Sequence, residues 1–240
     1  MPLDEDSKCL DGRVPESSNR VRQFSGVCGL VGALLFFGGD MLFYGYLGPG
    51  SGFAEGMRTT VIHASEERLF AGGLIGPIAA GLCIVGFWHV YLNMHRSPAL
   101  LRKLTFGVFF ALMVAGSAVH TLWTAKGLTL KYCYDQSGAC PQLLAAVKSY
   151  WGIAYNLSAV PGYIGAMLLA VLVLMGKTCY PRWTVLLNPG VLIVSLSYFA
   201  GFVPSPLGAI LVGGVTNLSI AAFFLTSIFT TWRLPQSPSS

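Results

Sequence analysis

Six stretches of the chain are predominantly apolar over about 20 residues or more, at about 23–46, 69–92, 104–124, 152–176, 184–204 and 207–232. A helix needs about 20 apolar residues to cross roughly 30 Å of hydrocarbon. Many of the runs are apolar all round, as required of a segment that faces both lipid and partner helices. They are continuous rather than alternating, which selects helices over a barrel. The expected fold is all-α: an integral membrane bundle of about six transmembrane helices, spanning 23–232, with a polar N-terminal tail at 1–22 and a short polar C-terminal tail at 233–240.

Composition agrees with that pattern. The chain is 54% hydrophobic and 10% charged, with a mean hydropathy of +0.63, whereas a soluble domain carries about 25% charged residues. The net charge of +5 comes from 15 basic residues scattered between apolar runs, not clustered on one face as a nucleic-acid reader needs. No nucleic-acid partner is expected. The first 22 residues have no apolar core and read as a tail rather than a signal peptide.

With the N-terminus placed inside, ten basic residues fall on the inner side (Lys8, Arg13, Arg20, Arg22, Arg96, Arg102, Lys103, Lys177, Arg182 and Arg233). Five fall outside (Arg58, Arg68, Lys126, Lys131 and Lys148). The positive-inside rule then places both termini in the cytoplasm. Trp88, Trp183 and Trp232 fall at inner ends of spans and Trp123 and Trp151 at outer ends, the headgroup level that indole prefers. The expected location is the plasma membrane or the endoplasmic reticulum, multi-pass, with the lipid bilayer as partner.

Small residues indicate how the spans pack. Gly72, Gly76 and Ala80 recur every four residues, Gly26, Gly29 and Ala33 mark the first span, and Gly162 and Ala166 the fourth; lipid tails are as apolar as Leu, so helices associate where small side chains let backbones approach. Pro77 and Pro161 suggest kinks that open a cavity. Of six cysteines, Cys28 and Cys83 read as packing residues and Cys9 and Cys179 as free thiols on the reducing side. Cys133 and Cys140 bracket six residues including a Gly in the second outward loop, room enough for a structural disulfide.

Ionisable groups at membrane depth are costly and therefore candidate functional groups. Asp40 lies in the outer half of the first span, Glu66 and Glu67 come just before the second, His120 lies near the outer end of the third, Tyr155 and Asn156 begin the fourth, and Asn217 sits near the middle of the last. His63 and Arg68 flank the second span's start. Four distant segments thus bring polar groups to one leaflet. The competing reading is structural: Asp40 paired with Arg68, and His120 a core histidine bonded to a carbonyl. His89 and His95, among Trp88, Tyr91 and Arg96, read as interfacial anchors.

No zinc-hydrolase, nucleophile-elbow, nucleotide-binding or Asp-rich diphosphate motif is present, and no metal or cofactor is expected. Residues 63–92, from His-Ala-Ser-Glu-Glu-Arg to Trp-His-Val-Tyr-Leu, together with Gly39-Asp40 and Ala118-Val-His120, carry a resemblance. The chain resembles a family of six-helix, mostly bacterial membrane proteins known as a domain of unknown function. That resemblance implies the six-span architecture over most of 25–232 and no activity. Two functional readings stand. One is an enzyme with an outer-leaflet acid/base pocket for a hydrophobic small molecule, such as a protonation-initiated isomerase or terpene-type cyclase. In it Asp40, or Glu66 or Glu67, acts as acid, His120 as base, and Tyr44, Trp123, Trp151 and Tyr155 steady a carbocation, with Asn156 and Asn217 binding substrate. The other is a small proton- or ion-coupled transporter or channel subunit. Polar groups gathered at one leaflet, rather than running across the membrane, favour the enzyme.

Overall fold

A computed structural model describes residues 16–48, 52–135, 140–204 and 206–232. Every regular element among them is helical: α1 (Glu16–Tyr44), α2 (Phe53–His63), α3 (Glu66–Asn93), α4 (Ala99–Asp135), α5 (Pro141–Leu174), a 3-10 helix (Arg182–Leu187), α6 (Pro189–Ala200) and α7 (Leu207–Thr231). Five of these, α1, α3, α4, α5 and α7, are long and apolar enough to cross a membrane, and the protein is a multi-pass membrane protein on that ground.

The expected fifth run, 184–204, does not form one continuous helix. It splits into the 3-10 helix and α6. At 12 residues α6 is about 18 Å long, too short to span the hydrocarbon by itself. The break falls at Asn188-Pro189: the Asn188 side chain accepts from Gly190 N as the N-cap of α6, and Pro189 takes a first-turn position where its missing N–H has no cost. Hydropathy averages over such a break. Helix α1 also begins at Glu16, inside the stretch expected as tail, and α2 is an additional short helix whose Val61 and Ile62 are buried. The rest of both expected tails, and Cys9, lie outside the described residues.

The helices neighbour one another in the order α5–α4–α3–α1–α7–α6, and α6 returns to touch α5 sparingly, so that six helices ring a central space. The tightest seam is α1 against α3, built on glycine. A Cβ at Gly29 would lie 2.7 Å from Gly86 Cα, and one at Gly32 would lie 2.8 Å from Ala79 O. Any larger residue there would force the helices apart. The first helix begins and the last helix ends on the same face of the bundle, where Gln23 donates to the carbonyl of Trp232.

Helices α4 and α5, of 37 and 34 residues, are about 55 and 50 Å long and overrun the hydrocarbon by roughly 20 Å. They form a hairpin that stands out at the opposite face. Cys133 and Cys140 are bonded across it, with Cα atoms 5.5 Å apart. The hairpin is held down by Lys131, whose Nζ donates to Ala64 O at the end of α2.

Candidate functional site

His120 is seated by glycine. Its ring lies between α1 and α3, where a Cβ at Gly39 would sit 2.6 Å from His120 Cε1 and one at Gly76 would sit 2.6 Å from His120 Cβ. Phe36 and Phe43 flank the imidazole at 5.2 and 5.3 Å between ring centres. His120 Nδ1 lies 3.1 Å from the Gly72 carbonyl, which can only accept, so Nδ1 carries a proton. Nε2 then faces Asp40 Oδ1 at 3.3 Å, an ion-pair distance without the alignment of a hydrogen bond.

Asp40 and His120 are 7% and 6% exposed, and the other carboxylate oxygen accepts from Asn217 Nδ2 at 2.6 Å. Two lone pairs opposed at that distance in a low-dielectric interior repel. A proton shared between the carboxyl and Nε2 would relieve that repulsion. The two residues that the sequence placed at one depth are in contact, joined by Asn217 from the last helix.

A cavity of about 400 Å³ opens beside them. His120 and Asn217 are in its wall, with Asp40 set behind both. Tyr155, Asn156 and Thr216 add polar groups at the same end, and Tyr155 hydrogen-bonds Thr216, linking α5 to α7 across the space. Away from His120 the wall turns apolar, through Phe36, Met113 and Ile220 to Phe87 and Phe109. These last two rings stack at 4.2 Å and close the floor. On the side where α5 and α6 barely touch, Tyr155, Tyr163 and Ser197 are exposed, and the cavity reaches the outer surface of the bundle between those helices.

The remaining candidates divide. Tyr44 stands next to the pair, its hydroxyl donating to Gly213 O and lying close to Asp40. Trp123 and Trp151 pack on each other, Trp151 also on Tyr155 and Trp123 on Phe43 and Tyr44, but neither lines the cavity. The faces of both indoles hold Lys126, whose Nζ sits 4.0 and 3.4 Å from the ring centres. Those rings already bind a cation of the protein's own. Glu66 accepts from the Tyr132 hydroxyl on the surface, and Glu67 is exposed beside the Ser65 cap of α3. Neither lines the cavity, and His63 is likewise exposed. Arg68 does not pair with Asp40: its guanidinium donates to the carbonyls of Leu42 and Met41, closing the C-terminal turn of α1.

A second buried polar cluster was not anticipated. His89 is 1% exposed and no interfacial anchor. Nδ1 meets the Arg22 carbonyl at 2.7 Å and Nε2 meets Ser227 Oγ at 2.8 Å, while Tyr180 joins Ser227 at 2.7 Å and Asn93 completes the set. It ties α1, α3, α7 and the segment before α6 together at the end that bears the termini. The signal was present in the i, i+4 spacing of His89 and Asn93, which places both on one face. What hid it was the neighbouring Trp88 and Tyr91, which do belong to the interface.

Comparison with curated proteins and with solved structures finds no match. One family model covers residues 17–233, which takes in every helix from the second residue of α1 and both polar clusters, and the chain belongs to that family, a family of unknown function (DUF6796).

Proposed function

We propose that this protein is a membrane-embedded acid–base enzyme that moves a proton on a hydrophobic small molecule drawn from the lipid. The observation that supports this best is the buried contact of Asp40 with His120, whose side chain and that of Asn217 stand in the wall of a largely apolar cavity. The substrate enters between α5 and α6, where the bundle is open at the side. Its apolar part fills the space toward Phe87 and Phe109, and its polar end meets Asn156, Tyr155 and Asn217.

His120 is the member of the pair that lines the cavity, and in the proposed reaction its Nε2, which faces Asp40 at rest, turns toward the substrate. Its ring is oriented by the Gly72 carbonyl, and Asp40 behind it stabilises the imidazolium. In an isomerisation the imidazolium donates its Nε2 proton to one carbon of a double bond, and the neutral Nε2 then takes a proton from a neighbouring carbon. The double bond moves and the pair returns to its starting state. No cofactor is consumed. The cation–π role given to Trp123 and Trp151 passes to the rings that line the cavity, Phe36, Phe87 and Phe109, because Lys126 occupies the indoles. This favours an isomerase over a terpene-type cyclase.

On this reading the 3-10 helix and α6 together make a sixth crossing, and the excess of basic residues at the end bearing the termini supports a cytoplasmic side there. The cavity then lies in the outer leaflet.

The test uses the full chain in liposomes with a host lipid extract in D2O. Turnover would introduce deuterium into a lipophilic component, read by mass spectrometry. Wild type should label such a component, and His120→Gln and Asp40→Asn should not. Labelling that is the same in all three would dispose of the proposal. A proton-coupled transporter is the second reading, favoured by the buried His89 at the other end of the α1–α3–α7 seam. It requires Asp40-dependent proton flux across sealed liposomes, with no labelled product.

A further inference from the structure

Among the described residues, the end of the bundle that bears the termini is rich in cations, Arg96 and Arg102 among them. The carboxylates with described side chains are Asp40, Glu55, Glu66 and Glu67, and all four stand at the opposite end. At the turn between α3 and α4, His95 lies within the electrostatic reach of Arg96, Arg102 and Arg22. Arg102 stacks its guanidinium over Tyr91 at 4.5 Å, which fixes the plane of the fork. Nε of Arg102 and Nη2 of Arg96 are buried, and neither has a hydrogen-bond acceptor among the described residues. A buried charged donor left without an acceptor is unfavourable, so two such donors, on guanidinium groups that both reach His95, mark a place for an anion.

The surroundings say what carries it. Tyr91 stacks on Trp88 at 4.8 Å, and Phe106 meets both. This is an aromatic patch of the kind found at the headgroup level. Trp88, Leu100 and Leu104, on the same two helices, are 41%, 68% and 48% exposed and offer an apolar track leading away from the arginines. We infer that Arg96 and Arg102, with His95 beside them, form a binding site for a phosphate group, supplied by an anionic phospholipid whose chains lie along Trp88, Leu100 and Leu104. Arginine suits the task because its planar fork matches two phosphate oxygens at once. The site is separate from the Asp40–His120 pair and does not depend on what that pair does.

Desolvation, and then the charges of Arg96, Arg102 and Arg22, hold His95 below the usual histidine range. A phosphate docked beside it reverses that influence, so His95 is a reporter that a purely structural arginine cluster would leave unmoved. The experiment takes the full chain in a neutral detergent and adds phosphatidylglycerol, phosphatidylcholine or inorganic phosphate. Retained lipid is read by native mass spectrometry, and the His95 titration by NMR with selectively labelled histidine. Wild type should retain phosphatidylglycerol about tenfold better than phosphatidylcholine, with a rise in the His95 pKa. The Arg96→Gln/Arg102→Gln double variant, still folded by circular dichroism, should lose both effects. If inorganic phosphate alone produces the rise and phosphatidylglycerol adds nothing, the phosphate site stands and its lipid source is rejected. If no addition moves His95, or the double variant retains the lipid preference, the inference is wrong. A His95 pKa already raised before any addition would mean that the chain's own carboxylates fill the place, and would equally overturn it.

Discussion

At the scale of single residues, the site depends on glycines more than on the groups that carry its chemistry. Two adjacent positions allow a controlled comparison. A Cβ at Gly39 would meet His120 Cε1 at 2.6 Å and Gly72 O at 3.2 Å, while one at Gly38 would meet nothing within 4 Å. Gly39→Ala should therefore cost about 1–3 kcal/mol by overpacking, with the imidazole pushed off the Gly72 carbonyl. Gly38→Ala should be neutral or stabilising by up to about 1 kcal/mol, since Ala outranks Gly inside a helix. Thermal unfolding in detergent checks the pair, and equal effects would mean that His120 is not held as described. Asp40→Asn preserves shape: its amide can still accept from Asn217 and donate to Nε2. Unfolding should be close to wild type while the deuterium labelling described above is lost. A poorly folded Asp40→Asn protein would instead assign the carboxylate a purely structural role.

At the scale of elements, two devices close helix ends that sit in or near the membrane. Arg68 donates to the Leu42 carbonyl at the open end of α1 and, alongside Gly45 N, to the Met41 carbonyl. Arg68→Met keeps the stem and removes the donors, and should destabilise the protein by about 1.5–3 kcal/mol, the range for hydrogen bonds to a charged group. Hydrogen exchange should accelerate in the last turn of α1 first; if it is unchanged there, the capping role fails. The α4–α5 hairpin has the Cys133–Cys140 bond at its tip. Replacing both by Ser should cost about 2–3 kcal/mol, as expected for a loop this short. Exchange should rise in the outer turns of α4 and α5 and stay slow in the buried stretches around Met113 and Ala166. Loss of protection throughout both helices would show that the bond supports the whole bundle rather than its projecting end.

At the scale of the whole molecule, the ring of helices encloses a space that closes poorly between α5 and α6. That opening separates a lipid-accessible site from an aqueous path. Gly116 lines the cavity, and a Cβ there would meet nothing within 4 Å, so Gly116→Leu can fill the space without displacing a neighbour. Its unfolding temperature should match wild type, and substrate labelling should fall at least tenfold. A transporter whose proton path runs along the α1–α3–α7 seam would keep its flux in the same variant. Full activity in Gly116→Leu would place the substrate somewhere other than this cavity.

Much of this was legible in the sequence, because the membrane imposes simple demands. Backbone groups in hydrocarbon must be satisfied within a helix, so length and apolarity alone located five long spans, and the cost of an ionisable side chain at that depth singled out Asp40 and His120. The Cys133–Cys140 spacing was legible for the same reason: chain length limits what two residues can reach. Tertiary structure decided what depends on which helix faces which. Hydropathy could not see that Asn188-Pro189 breaks the fifth run, since an average over a window keeps no record of a cap. Nor could depth alone distinguish Asp40, buried between His120 and Asn217, from Glu66 and Glu67, one turn too far out and wet. Trp123 and Trp151 were expected at the pocket, and only the packing shows that Lys126 lies over both rings and that neither lines the cavity. His89 looked interfacial beside Trp88, yet one position along a helix is a turn of about 100°. That rotation carries His89 from the lipid boundary into the core.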